Sequence, residues 1–171
     1  MPAASQRPFE PVIDAHWRKI LNLAVRMTGD RVEGEEIAQE TFFRAYRAWP
    51  KFAGRSSVLT WLFRIAVNTT KAHMLERHRR GSVSLSDAPP PAVRDRDPIE
   101  AREEREHIEA AMQAISPKHR MVLTLFCQEG LNHEQIAEVV GCPIGTVWSR
   151  LYNARAAFAR QLEQTKTEIE R

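Results

Sequence analysis

The chain has 171 residues, of which 43% are hydrophobic and 27% are charged, with a formal net charge of +3. This composition is typical of a soluble globular protein. No stretch approaches the roughly 20 apolar residues that a membrane span needs, and the N-terminal residues lack the apolar core of a signal peptide. We therefore expect a cytoplasmic protein that is not membrane-embedded, with one domain or two small ones.

The basic charge is concentrated in the first half of the chain. Residues 1–80 carry 14 Lys and Arg against 8 Asp and Glu, residues 81–115 carry 4 against 8, and residues 116–171 carry 7 against 6. The densest cationic stretch runs from Arg64 to Arg80 and contains Glu76 as its one acidic residue. Such a cluster suits nucleic-acid phosphate, because bound cations release condensed counterions. A solvated helix face is the alternative.

Apolar residues at spacings of three and four predict three helices in the N-terminal part. They cover about 10–28, about 33–48, and a long segment from Ser56 or Ser57 to about Arg79. Gly29 suits the C-terminal cap of the first helix, and Pro50 ends the second. Strand-like alternation is absent from the sequence.

A proline-rich segment follows this helical part. Residues 81–98 hold four of the ten prolines and show no apolar period, which predicts a semi-rigid linker. The acidic run from Glu100 to Glu109 then begins the first helix of a second domain.

The C-terminal part has clear helix start and stop signals. Ser116 and Pro117 open a helix that is closed by Gly130. The segment 132–135, Asn-His-Glu-Gln, is a capping box for a short helix that stops at Gly141 and is followed by a longer helix with Val147 and Leu151 inward. This is the pattern of a helix-turn-helix. We thus predict an all-α protein with two small helical domains, residues 1–80 and 100–171, joined by the Pro-rich linker 81–99, the C-terminal domain containing the helix-turn-helix.

At this point the sequence resembles the extracytoplasmic-function (ECF) sigma factors, and within them the sigma-E envelope-stress group. The resemblance rests on the order of EEIAQETFFRAYRAW, KFAGRSSVLTWLFRIAVN, a Pro-rich gap and LNHEQIAEVVGCPIGTVWSRLYNAR. It implies a transcription initiation factor that binds core RNA polymerase, recognises the minus-35 and minus-10 elements of promoter DNA, and helps to open the duplex. It also implies regulation by an anti-sigma factor.

The resemblance assigns three sets of residues by matching motif positions. Candidate polymerase contacts are Glu36, Gln39, Glu40, Phe43 and Arg44. Candidate minus-10 contacts are Phe52, Gly54, Arg55, Ser56, Trp61, Arg64, Asn68, Lys71, Arg77, Arg79 and Arg80. Candidate minus-35 contacts are Thr146, Trp148, Ser149, Arg150, Tyr152, Asn153 and Arg155.

Several of these residues have a competing structural interpretation. Phe52 would wall a pocket for a flipped base and Asn68 would bond its edge, but Asn68 stands in an apolar stripe and is alternatively satisfied in the core. Phe43 is alternatively packed inside. Trp148 is alternatively a core residue or a contact to sugar or thymine methyl, and Arg155 a phosphate contact without sequence information.

The chain also departs from the family pattern. Many members carry Asp at the position of Ala72, and Arg is frequent at the positions of Trp148 and Asn153. A carboxylate contact is therefore absent at Ala72, and the preferred minus-35 bases are expected to differ from those of the nearest relatives.

No pattern in the sequence indicates enzymatic chemistry, a cofactor, a small-molecule substrate or a metal site. Cys127 and Cys142 are expected to be buried thiols, with a redox switch as the alternative. Two other function classes remain open. One is a helix-turn-helix regulator that does not act through core polymerase, and the other is an anti-sigma-like helical module without DNA affinity.

Overall fold

The computed structural model describes the backbone of residues 8–81 and 99–169, and the side chains of 8–81 and 104–164. Within these ranges every regular element is helical, which confirms the all-α prediction. The predicted linker lies outside the described residues, apart from Gly81 and Ile99. The helices are α1 (Glu10–Thr28), α2 (Arg31–Ala48), a 3₁₀ turn (Trp49–Lys51), α3 (Val58–Arg79), α4 (Ile99–Ala114), α5 (Pro117–Cys127), α6 (His133–Val140) and α7 (Ile144–Ile169).

The chain forms two compact units. In the N-terminal unit α1, α2 and α3 pack against one another. Their contact faces are apolar and buried, and the largest fully buried side chains there are those of Ile20, Leu23, Met27, Ile37, Leu62, Phe63 and Val67. Burial of each such side chain contributes about 1.5–3 kcal/mol to the stability of the fold. The apolar residues whose spacing predicted the helices therefore also stabilise the packing between them.

Local capping sets the helix ends in this unit. The Asp30 carboxylate accepts a hydrogen bond from the Glu33 amide, so α2 begins two residues before the predicted start. The Ser57 hydroxyl accepts from the Thr60 amide, which decides between the two serines proposed as the cap of α3. Gly29 adopts φ 77° and caps α1, as predicted.

The crossing of α1 and α2 depends on the absence of a side chain at Gly34. A Cβ atom there would lie 2.5 Å from Val25 Cγ2 and 2.9 Å from the Val25 backbone nitrogen. These distances are shorter than real contacts, so the two backbones approach more closely than alanine would permit.

In the C-terminal unit α7 packs against α4 and α5. The buried side chains include Val122, Leu125, Ile136, Val147 and Leu151. The capping box of α6 forms as predicted, since the Asn132 side chain accepts from the Gln135 amide and Gln135 accepts from the Asn132 amide, both at 2.9 Å.

Helix α5 begins at Pro117 with Ser116 as its N-cap, as predicted, and the Ser116 carbonyl accepts from the His119 and Arg120 amides. Two other expectations for this unit need correction. Helix α5 ends at Cys127, before Gly130, which instead takes φ 67° in the following turn. The prediction of buried thiols is wrong for Cys127, which is exposed at the end of α5, while Cys142 is half-buried.

The most deeply buried charged residue of the described chain is Arg120. Its guanidinium donates to the Gln113 side-chain oxygen, to the Gln113 carbonyl at 2.6 Å and to the Ile115 carbonyl at 3.2 Å. Desolvation lowers the pKa of Arg120 to about 10, so it stays charged at neutral pH. A buried cation thus ties the C-terminal end of α4 to α5.

Candidate functional site

The outward face of α3 carries a continuous polar stripe. Arg64, Asn68 and Lys71 are all exposed and follow at spacings of four and three, so they share one side of the helix. The opposite side, with Phe63 and Val67, is buried. The expectation that Asn68 stands in the apolar stripe, and its core alternative, are therefore wrong: its amide is open to solvent.

An aromatic cluster connects the segment before α3 to the first turn of that helix. The Phe52 ring lies parallel to that of Trp49, with centroids 5.3 Å apart and an interplanar angle of 7°, and its centroid is 4.9 Å from that of Trp61. Because Phe52 and Trp61 hold each other, the loop between them is anchored at both ends. Gly54 and Arg55 are exposed in this loop, where Gly54 has φ 66°, and Ser56 is half-buried.

The arginines at the end of α3 are ion-paired. Arg77 Nη1 donates to both carboxylate oxygens of Glu33 at 3.0 Å, which joins α3 to α2. Arg79 and Arg80 contact Glu76 of their own helix at 3.4 and 2.8 Å. Glu76 was evident from the sequence as an acidic neighbour of these arginines. Glu33 was not, because the Arg77–Glu33 pair joins residues 44 positions apart and has no local sequence signal.

These arginines differ in how strongly their carboxylate partners hold them. The Arg77 side chain is 27% exposed and its bidentate partner Glu33 is 23% exposed, so this pair is partly shielded from water. The Arg79 and Arg80 side chains are 72% and 74% exposed. Exposed pairs of this kind are worth only about 0.3–0.5 kcal/mol, and phosphate can replace the carboxylate.

The exposed face of α2 combines an aromatic ring with polar groups. Phe43 is 56% exposed, so its core alternative is wrong and Phe42 is the buried neighbour. Glu36 and Gln39 are also exposed on this helix. Two further predicted residues pair with each other, since Arg44 Nε lies 2.6 Å from Glu40 Oε1.

The N-terminal half of α7 presents aromatic and polar side chains together. Trp148 is 58% exposed, which excludes the core alternative, and Ser149, Tyr152 and Asn153 are also exposed. Thr146 and Arg150 are half-buried.

Some of these α7 side chains have local partners. The Ser149 hydroxyl donates to the Thr146 carbonyl at 3.0 Å. Arg150 Nη1 lies 3.8 Å from Cys142 Sγ. The predicted minus-35 residues therefore all lie in the N-terminal half of α7, and these two contacts are made within α7 and the turn before it.

Two residues that the sequence reasoning missed support this set. The His133 ring is stacked on Trp148 with centroids 3.9 Å apart and an interplanar angle of 8°, and it lies 5.3 Å from the Phe126 ring. On Phe126 rests the Arg155 guanidinium, 5.2 Å from the ring centroid. The capping-box motif drew attention to the backbone at His133 but gave no sign of its ring contact.

The described residues contain no group of three His, Cys, Asp or Glu that could hold a metal ion. Within the same residues, no helix is both long and apolar enough to cross a membrane.

Comparison with known proteins identifies both halves. Residues 12–80 match the sigma-70 region 2 family and residues 105–158 match the sigma-70 region 4 family. The chain is 40% identical to the RNA polymerase sigma-H factor of Pseudomonas aeruginosa over 169 residues, which cover 92% of this chain and 88% of the relative. It is 32% identical to the ECF RNA polymerase sigma-E factor of Escherichia coli K12 over 181 residues, with the same coverage of 92% and 88%.

Two solved structures share the fold. The sigma factor RpoE from Bartonella quintana, in complex with the anti-sigma factor NepR, superposes with a TM-score of 0.77 at 24% identity, covering 91% of this chain and 96% of that one. CnrH in complex with the cytosolic domain of CnrY gives 0.69 at 22% identity, covering 95% and 93%.

The match over residues 12–80 excludes the alternative of a helix-turn-helix regulator that does not act through core polymerase, because sigma-70 region 2 accounts for the N-terminal half. Sigma factors bind core polymerase and promoter DNA and are not enzymes. The chain belongs to the ECF family of RNA polymerase sigma factors and, through sigma-70 regions 2 and 4, recognises the minus-10 and minus-35 elements in transcription initiation.

Proposed function

We propose that the outward stripe of α3 captures the nontemplate strand of the minus-10 element. The observation that carries this proposal is the exposed amide of Asn68 with cations one turn to either side, at Arg64 and Lys71. An amide donates and accepts at once, so it can bond the edge of an unstacked base. The flanking cations suit the adjacent phosphates.

The aromatic cluster at the start of α3 supplies a rigid border for that base. Extruding a base costs a few kcal/mol, which a pocket must offset by contacts made without further ordering. Phe52 and Trp61 are already packed on each other. Gly54, Arg55 and Ser56 lie in the loop between Phe52 and α3. Arg79 and Arg80 add exchangeable phosphate contacts, whereas Arg77 serves mainly to join α3 to α2.

The exposed face of α2 is the proposed polymerase contact. Phe43 is a large exposed ring, and interfaces commonly centre on such an anchor inside a polar rim. The rim comprises Glu36, Gln39 and the Glu40–Arg44 ion pair. Sigma factors similar in fold were solved with an anti-sigma factor or another protein bound, and we propose an anti-sigma factor that occludes this face.

The first turns of α7 are the proposed minus-35 reader. Asn153 can bond adenine through two hydrogen bonds, and Arg155 can bond phosphate or guanine. We assign Thr146, Ser149, Arg150 and Tyr152 to the same interface because they lie on the same part of α7. In this scheme the domains extend over 1–80 and 100–171 with the linker 81–99 between them. The protein works in the cytoplasm, where core polymerase is found.

The experiment that tests this scheme is reconstitution with core RNA polymerase on a promoter library randomised at both elements. We expect transcripts from a narrow set of promoters with defined minus-35 and minus-10 bases. Asn153→Arg should change the selected minus-35 bases and leave the minus-10 bases unchanged. Failure to bind core polymerase, with duplex binding retained, would contradict the scheme.

A further inference from the structure

The stacked pair of Trp148 and His133 constrains an exposed side chain on the proposed minus-35 reader. Although Trp148 is 58% exposed, one face of its ring is covered by the parallel imidazole at 3.9 Å. The indole therefore has one covered face, while its other face and edges are open. An exposed tryptophan on a helix would otherwise sample several rotamers.

The imidazole is itself firmly held. His133 is the first residue of α6, and the reciprocal hydrogen bonds of Asn132 and Gln135 fix the backbone at that point. Behind it lies Phe126 of α5, at 5.3 Å. Three separate elements thus determine the plane of the Trp148 ring: α5, the α6 cap and α7.

The chemistry of indole limits what a fixed Trp148 can recognise. Its polar capacity is one N–H donor with no acceptor, so it cannot form the two hydrogen bonds that Arg or Asn makes to a purine. The one apolar group that a base edge presents in the major groove is the C5 methyl of thymine. The neighbours one turn away, Ile144 and Tyr152, are also large, exposed hydrophobic side chains, which extends the apolar character of this stripe.

We propose that His133 is a positioning residue that fixes the Trp148 ring to read a thymine methyl group in the minus-35 element. This inference rests on the proposed role of α7. It assigns specificity at one base pair to a pair of residues from two helices, since Trp148 makes the contact and His133 sets its geometry. Phe126, which packs against His133, also supports the Arg155 guanidinium two turns further along α7.

The test replaces thymine by deoxyuridine, which removes the methyl group alone. Minus-35 duplexes selected by the polymerase holoenzyme are synthesised with each thymine changed in turn, and holoenzyme binding is measured for each. For the wild type we expect at least one position where deoxyuridine weakens binding about fourfold, the factor that burying one methyl group supports. Trp148→Ala should bind both duplexes equally.

Two variants of His133 separate positioning from folding. His133→Ala should lose most of the methyl discrimination while keeping its affinity for the deoxyuridine duplex, and His133→Phe, which preserves a stacking ring, should restore it. Retained fourfold discrimination in His133→Ala would overturn the positioning role. A selected element without thymine, or indifference of the wild type to every methyl group, would overturn the reading by Trp148. If no minus-35 preference emerges at all, the proposed role of α7 fails instead.

Discussion

Helices α3 and α7 both carry arginines toward the proposed DNA faces, yet they hold these arginines differently. At the end of α3, Arg77 is clamped by Glu33, and Arg79 and Arg80 pair with Glu76. On α7, Arg155 rests on an aromatic ring, and no carboxylate lies within ion-pair distance of it among the described residues.

This difference shows that a count of cations overstates the charge available to phosphate. The three arginines at the end of α3 all pair with carboxylates, Arg77 with Glu33 of α2 and the other two with Glu76. We therefore propose that α3 contacts the DNA through Asn68 more than through its cationic end, and that α7 does so through side chains that aromatic rings support.

The largest effect is expected where the buried connection between the end of α4 and α5 is broken. Arg120→Met removes the buried cation and leaves the carbonyls of Gln113 and Ile115 without their donors. We expect a loss of about 3 kcal/mol in the free energy of unfolding, because each buried carbonyl that loses its donor costs about 1–3 kcal/mol. Denaturant unfolding followed by circular dichroism measures this loss.

The matched control is Arg160→Met, which changes an exposed arginine of α7. It should alter the free energy of unfolding by less than about 0.5 kcal/mol. Equal effects of the two variants would mean that the Arg120 contacts do not support the C-terminal unit.

The next largest effect concerns the centre of α3. Asn68→Ala should reduce open-complex formation about tenfold, because a base-edge contact is worth about 1–3 kcal/mol. Binding to core polymerase should be unchanged, since Asn68 is exposed on a different helix from Phe43. Parallel losses of core binding and promoter opening would indicate misfolding and remove Asn68 from strand capture.

A smaller effect should separate the arginines at the end of α3. Arg77→Gln should lower the free energy of unfolding by about 1 kcal/mol and leave the salt dependence of promoter binding nearly unchanged, because its guanidinium is held by Glu33. Arg79→Gln should do the reverse, with little change in stability and a salt slope reduced by up to about 0.9.

Salt titrations of the holoenzyme bound to one promoter, together with unfolding curves of the free chain, measure both quantities. If Arg77→Gln reduces the salt slope as much as Arg79→Gln does, the conclusion that Glu33 keeps Arg77 from phosphate while Arg79 can exchange Glu76 for phosphate is wrong.

The smallest effect is a dependence of stability on pH, with one contributing histidine in each unit. Burial and then Lys19 lower the pKa of His16, and burial, then Lys118 and Arg150, lower the pKa of His119. The folded state binds fewer protons than the unfolded state, so stability should be highest above pH 7 and fall as the pH drops through the ordinary histidine value near 6.5. Thermal unfolding between pH 5 and 8 should show this slope, and His16→Gln with His119→Gln should flatten it.

The sequence predicted what is local and missed what is distant. The helices and their caps at Gly29 and Asn132 were predictable because capping hydrogen bonds join residues a few positions apart. The pairing of Arg77 with Glu33 and the stack of Trp148 on His133 were not, because each depends on how two helices pack.

The core alternative for Asn68 is wrong for a specific reason. Thr69 and Thr70 are buried, and their hydroxyls donate to the Ile65 and Ala66 carbonyls at 2.9 and 2.8 Å. The inner face of α3 therefore includes hydroxyl groups that are satisfied by the helix itself, so a polar residue next to the apolar stripe was not by itself a sign of burial for Asn68.

The most direct test of this account is permanganate reactivity of the minus-10 thymines in promoter complexes formed with core polymerase. The wild type should give strong reactivity, Asn68→Ala should lose most of it, and the double variant of Arg79→Gln and Arg80→Gln should keep most of it at low salt. Strong reactivity with Asn68→Ala, combined with loss in the arginine double variant, would contradict the conclusion that α3 acts through its central amide more than through its cationic end.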